Sequence, residues 1–309
     1  MTSAPDVERL ASSLSKSTVS VFLFHGVARI EDFGIRNYTG KHLSDHAFVD
    51  AIRLLTNRGT PVSMDELLAH VSGVQSCPAN SFVVTFDDGF WNNLTVAAPI
   101  LSDFGVPATF FVTSDFIDLG SMSWVDLIEA AVATTSLASV SCPHPIEGSY
   151  GLATREERVN FMNLVRARVK ADPRTDPDQF ADVLVHDLLR GREPDRIEMI
   201  DRKLSWEDVR KLQSNDLFTV GGHGRTHRIL GYLEPAEARL EVDYCLKRLR
   251  DMGGATAEHF SYPEGFSGSY TPQLIEALQE LSVKTAVTTE PGSNALGQEA
   301  MTLRRIFVA

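Results

Sequence analysis

Cysteine is scarce in this chain: Cys77, Cys142 and Cys245 are the three in 309 residues. No two stand in a C-x-x-C spacing, and their odd number and wide separation speak against a disulfide framework. They read as reduced thiols that fill space in a cytoplasmic protein. Long apolar runs are also lacking. The first, residues 19–24, is too short to cross a membrane. The polar opening, residues 1–17, carries Asp6, Glu8 and Arg9 and has no apolar run of the signal-peptide kind. Basic clusters are missing too. With 29 Lys and Arg against 41 Asp and Glu the net charge is -12, so nucleic acid is not an expected partner. An acidic surface favours solubility without naming a substrate.

The chain is long for an ordinary domain, but α/β barrels of about 200–250 residues run as single domains. The expectation is one barrel domain over residues 1–309 with an insertion, and 43% hydrophobic residues supply a large core. Residues 19–24, 81–86 and 108–112 are apolar, β-rich runs. Between them, Ser44 caps a helix towards Arg58, striped by Phe48, Ile52, Leu54 and Leu55. Ser63 to Glu66 forms a capping box, and a helix after residue 86 ends at Gly105-Val106-Pro107. Strand-helix-strand rhythm implies parallel strands with crossover helices. The rhythm fails over about residues 120–203, where 123–134, 155–171 and 177–190 read as helices of an insertion. It resumes with a helix capped by Ser205, a strand at 218–220, a helix over 235–252, and strands near Phe260, near Ala286 and at 306–308.

Two segments carry chemistry. Thr85-Phe86-Asp87-Asp88-Gly89 follows a buried strand. Adjacent side chains point different ways there, so the two carboxylates can take different tasks; taken alone, Asp-Asp-Gly is equally good turn chemistry. His223-Gly224-Arg225-Thr226-His227 follows the strand at 218–220. Two His four apart on one face of a helical turn reach one ion, although a lone pair is usually just surface His. No Glu follows the first, so this is not the H-E-x-x-H pattern. Two His plus one carboxylate with open positions form a catalytic metal set. Phe260-Ser261-Tyr262-Pro263-Glu264-Gly265, by itself, reads as a strand ending in a turn.

Together these segments resemble the polysaccharide deacetylases, carbohydrate esterase family 4. Residues 85–89 are similar to the family's first motif, 223–227 to its H-[ST]-x-x-H motif, and 260–265 to an F-x-Y-P-x-G form of its third. Ala286 to Thr289 with Gly292, Arg305-Ile306 and the opening Phe24-His25-Gly26 resemble further segments. The resemblance implies a distorted (β/α)7 barrel with its site at the carboxyl ends of the strands. It implies Asp88, His223 and His227 as ligands of one divalent metal, for which zinc suits the donor set, with cobalt, nickel or manganese workable. It implies Asp87 as general base, and Tyr262, Pro263 and Gly265 beside the substrate. The chain departs from the pattern in three places. Gly224 replaces Ser or Thr. Ser261 stands where many members carry an Arg that orients the base, so Arg305, or else Arg225, is expected to supply that charge. The late His that serves as acid is absent, and His25 is the candidate, against a purely structural role under the barrel rim.

The leading expectation is a metal-dependent N-deacylase acting on a small N-formyl or N-acetyl amino-sugar, such as a sugar nucleotide in surface-polysaccharide biosynthesis, with the insertion capping the site. The alternatives are an amidohydrolase of a non-sugar amide, as in purine catabolism, and a non-enzymatic sugar-binding barrel. The intact Asp87, Asp88, His223 and His227 argue against the last. The sequence leaves the oligomeric state open.

Overall fold

The computed structural model describes residues 7–29 and 32–309, so the first six residues of the polar opening lie outside the described residues. The chain divides into two compact units, one of Met1–Glu31, Gly40–Ser121 and Arg202–Ala309, the other of Asp32–Thr39 and Met122–Asp201.

The first unit is a closed barrel of seven parallel strands: β1 (Thr18–Phe24), β2 (Ser81–Phe86), β3 (Ala108–Val112), β4 (Phe218–Gly222), β5 (His259–Ser261), β6 (Thr285–Pro291) and β7 (Leu303–Phe307). Each pairs with the next, and β1 closes the ring by pairing with both β2 and β7. The strands are apolar on both sides because both are covered. Val19, Val21, Val83, Phe111, Val287 and Leu303 form one core with Val62 and the apolar face of α2 (Met64–Val71). The alternate residues of β1, β2 and β3 carry a phenylalanine ladder. Phe24 stacks on Phe86 at 5.5 Å, Phe86 on Phe110 at 5.0 Å, and Phe48 of α1 (Asp45–Arg58) meets Phe24 edge-on at 5.3 Å. Each ring is fully buried, so truncating Phe86 to Ala costs about 3–5 kcal/mol.

Local signals set the helices. Ser44 accepts from Ala47 N at the start of α1, and Ser63 and Glu66 exchange hydrogen bonds in the capping box of α2. The helix after β2 has two parts: a wide π turn, Asn93–Ala97, and α3 (Ala98–Phe104), stopped by left-handed Gly105. The wide turn places Asn92 and Asn93 inward. Asn92 accepts from Val27 N at 3.3 Å and Asn93 donates to His25 O at 2.8 Å, which pins the loop leaving β1. After α4 (Ser114–Leu119) the chain leaves this unit, to return at Arg202.

In the second unit, α5 (Trp124–Thr134), α6 (Arg155–Ala171) and α7 (Pro177–Leu189) bury Ile128, Phe161, Val165, Leu184 and Leu188 together. It is not wholly helical, as the sequence reading had it. Ser139–Cys142 pairs antiparallel with Gly148–Gly151, because Val140 and Cys142 alternate with exposed Ser139 and Ser141, the period of a strand. Residues 32–39, read as loop, belong to this unit: Arg36 pairs with Asp201 and Glu129, and Asn37 N donates to Glu129 at 2.7 Å.

The barrel resumes with α8 (Trp206–Gln213), capped by Ser205 and Asp208. The helix expected over 235–252 is α9 (Pro235–Arg248) followed by a π turn, Leu249–Gly253. The sequence reading missed α10 (Pro272–Glu280) altogether, although Thr271 caps it and Pro272 stands in its first turn.

Candidate metal centre

His25, Asp87 and His223 are the first residues beyond the carboxyl ends of β1, β2 and β4, while Ser261 ends β5 and Arg305 lies in β7. Parallel strands deliver all five to one face. Asp88 follows with φ 74° and Gly89 with φ 70°. Left-handed backbone is strained for Asp, and here it turns the chain so sharply that both carboxylates approach one imidazole. His223 Nε2 lies 3.5 Å from Asp88 Oδ1 and 3.9 Å from Asp87 Oδ2.

His223 to His227 is not a helical turn, as expected, but a bend with left-handed residues at Gly224 (φ 77°) and His227 (φ 66°). Gly fits the first of these without strain, and a Cβ at Gly224 would also press Pro263 Cγ at 3.3 Å. The bend still brings the two imidazole centroids to 4.8 Å. Neighbouring backbone and side chains hold it. Thr113 Oγ1 donates to His223 O, Ser114 N to Gly224 O and Asp115 N to Arg225 O. Buried Glu241 of α9 accepts from both Thr226 N and Thr226 Oγ1, at 3.0 and 2.9 Å, and Phe116 stacks on His227.

The donor set suits a metal ion. One ligand atom each of Asp88, His223 and His227 lie within 4.8 Å of one another. His223 Nδ1 is 2.7 Å from Ser261 O; a carbonyl only accepts, so Nδ1 carries a proton and Nε2 is the atom left to a cation. Asp88 Oδ1 is buried 3.2 Å from His227 Nε2 yet makes no hydrogen bond, while Oδ2 is held by Lys41 Nζ at 2.9 Å. A buried carboxylate oxygen facing two imidazole nitrogens is the environment a divalent cation satisfies. Burial alone would raise the Asp88 pKa; Lys41 and the two His override it and hold it well below the usual range.

Asp87 is fixed as firmly. Arg305 Nη1 and Nη2 donate to its two oxygens at 2.8 and 2.7 Å, and Ser261 Oγ donates to Oδ2 at 3.1 Å. Arg305 Nε is spent on Thr288 O, and its Nη2 also reaches Ser261 Oγ at 3.0 Å. Against the raising effect of burial, Arg305 keeps Asp87 ionised. Of the two arginines the sequence offered, Arg305 reaches the carboxylate, whereas Arg225 pairs with Asp115 and covers Tyr244. His25 stands one step past the paired Phe24 and Phe86, and its Nδ1 is buried without a hydrogen-bond partner. Burial lowers its pKa to about 4, so it is neutral at pH 7 rather than near 6.5 as its type alone would have it.

The third motif is divided. Pro263 lies against the histidine bend, and Glu264 and Gly265 form a left-handed turn (φ 63° and 61°) whose Gly265 O accepts from Thr289 N. The Tyr262 side chain is not brought to the carboxylates: it is fully buried, stacked on Tyr270 at 4.4 Å, with its hydroxyl given to Met301 O. Sequence reasoning missed Lys41, which lies in an unpatterned loop and approaches the Phe90 ring at 4.8 Å, and Lys203, whose Nζ sits 3.4 Å from the same ring centroid.

Comparison with known proteins bears on the fold and the family. Solved structures similar to the chain include Streptococcus pyogenes deacetylase PplD in complex with acetate (TM-score 0.60, 14% identity, covering 95% of this chain and 93% of that one). IcaB from Ammonifex degensii (0.58, 17%, 96% and 94%) and the BpsB deacetylase domain from Bordetella bronchiseptica (0.55, 17%, 96% and 97%) are similar as well. At such identities these likenesses speak for the fold. No curated protein matches the sequence. The family model described as polysaccharide deacetylase matches residues 75–183 and 189–286, well over half of the chain and both candidate ligand segments. The chain belongs to the polysaccharide deacetylase family and is an amide hydrolase of the deacetylase kind.

Proposed function

We propose that the protein hydrolyses the N-formyl or N-acetyl amide of an amino-sugar with one divalent cation, zinc by preference, held by Asp88, His223 and His227. The observation that carries this reading is the pairing of two differently held carboxylates on one strand end. Asp88 turns an unpartnered oxygen to two imidazoles, and Asp87 is clamped beside it by Arg305. When bound, the cation polarises the amide carbonyl and acidifies the attacking water. Asp87 takes the proton of that water. Arg305 and Ser261 aim its oxygens and keep it ionised until then. The amine leaves only when protonated, and His25 is the group at the same face able to hand on a proton. Being neutral at rest, His25 first receives the proton that Asp87 has collected. The products are the short carboxylate and the free amino-sugar.

A small sugar or sugar nucleotide is the substrate this reading favours. Three cysteines without a disulfide among them fit a reducing, cytoplasmic setting, where wall polymers are not met. Metal-stripped protein, reloaded with one equivalent of zinc, tests the proposal on N-formyl- and N-acetylglucosamine with release of primary amine as readout. Turnover should appear only after reloading. Robust turnover of long chitooligosaccharides in place of the monosaccharides would overturn the small-substrate reading and leave N-deacylation standing.

A further inference from the structure

Phe307, the last residue of β7, is 54% exposed, more than any other Phe, Tyr or Trp among the described residues. The strand's alternation says which way it faces. Leu303 points into the barrel core, Arg305 one step along points to Asp87, and Phe307 is the next residue on that side. Arg304 and Ile306 belong to the opposite side. The core residue, the clamp and the exposed ring thus stand in sequence from the barrel interior to its carboxyl-end rim. The neighbouring strand agrees: Phe307 pairs with Leu23, two residues before His25, and the Phe307 and His25 rings meet edge-on at 5.6 Å. Leaving a phenylalanine more than half in water forgoes the stabilisation that burial would supply.

We infer that Phe307 is the platform on which the pyranose ring of the substrate rests. One face of a pyranose is a patch of C–H bonds, and such a patch packs on the electron-rich face of an aromatic ring, which no small polar side chain can replace. A sugar seated on Phe307 has its amide directed towards His25 and the carboxylate pair, because the same three neighbouring strands carry all of them. This assignment rests on the proposed function and specifies its substrate side: recognition of a sugar ring as well as of an acyl group.

The test compares wild type, Phe307→Ala, Phe307→Tyr and Phe307→Trp, all zinc-loaded. KM for N-acetylglucosamine should rise about tenfold in Phe307→Ala with kcat little changed, and Tyr or Trp should restore it. Glucosamine binding, followed by saturation-transfer NMR, should show its ring protons in contact with wild type and lose that signal in Phe307→Ala. Binding is read apart from turnover, so a wild type that binds glucosamine through Phe307 but cleaves no sugar amide sinks the proposed reaction alone. An unchanged KM with unchanged sugar binding in Phe307→Ala, or failure of Tyr and Trp to restore them, overturns the platform.

Discussion

Arg305 spans from β7 to the end of β2 and holds both oxygens of Asp87, at 2.8 and 2.7 Å, from a position only 1% exposed. A bidentate pair of this kind fixes direction as well as charge. The clamp comes from a strand far along the chain from the third motif, and Ser261, where an arginine was expected, adds a hydrogen bond instead of the charge.

Asp87 and its clamp should therefore separate kinetically. Asp87→Asn should keep its metal and lose at least ~100-fold in kcat. Arg305→Lys should lose less, since the charge remains while the two-pronged geometry goes. Arg305→Ala strands a buried carboxylate, so its melting temperature should fall. Near-normal turnover in Asp87→Asn would remove it as the base.

Metal stoichiometry should follow the three proposed ligands. His223→Ala, His227→Ala and Asp88→Asn should each lose most bound zinc by elemental analysis. Glu241→Gln, which touches only Thr226 of the histidine bend, should weaken zinc binding less than any of them. Full metal content in the three ligand variants would dismantle the site.

His25 should matter most where the leaving group needs a proton. His25→Ala should keep fold and metal, lose at least ~100-fold in kcat on an amide, and lose less on an activated ester. Equal losses on both would reduce His25 to a structural role.

The same residue should shape acid stability. Its pKa falls from 6.5 to about 4 on folding, so between those values the unfolded chain binds a proton that the native protein refuses. Stability of the metal-free protein should drop as pH falls through this window, by as much as about 3 kcal/mol, and level off below it. His223, whose pKa is raised, contributes in the opposite sense: its share is complete below 6.5 and fades as pH rises through its folded value. Urea unfolding of His25→Gln against wild type at both ends of the window isolates the His25 part. Parallel pH profiles for the two proteins would contradict it.

The barrel was legible because its strands are short apolar runs and its helices carry local caps, Ser44, Ser63 and Ser205 among them. The candidate ligands were legible because two His and an Asp-Asp each follow a strand. Within the site, what escaped depends on tertiary pairing. Lys41 and Lys203 sit in loops without periodicity and reach the Phe90 ring only through the fold. The bend at His223 escaped because spacing four fits a helical turn, while Gly224 and a left-handed His227 bring the rings together without one. Tyr262 stood in a motif, yet packing against Tyr270 claimed its side chain.

The proposed amide hydrolysis, begun by Asp87, requires a metal at Asp88, His223 and His227. Its most direct test is amine release from N-formyl- and N-acetylglucosamine by chelator-stripped protein titrated with zinc, beside the same titration of Asp87→Asn. Wild-type turnover should rise from nothing and saturate at one zinc per chain, with Asp87→Asn binding that zinc and staying inactive. Full activity in the stripped protein, or none at any zinc loading, would contradict it.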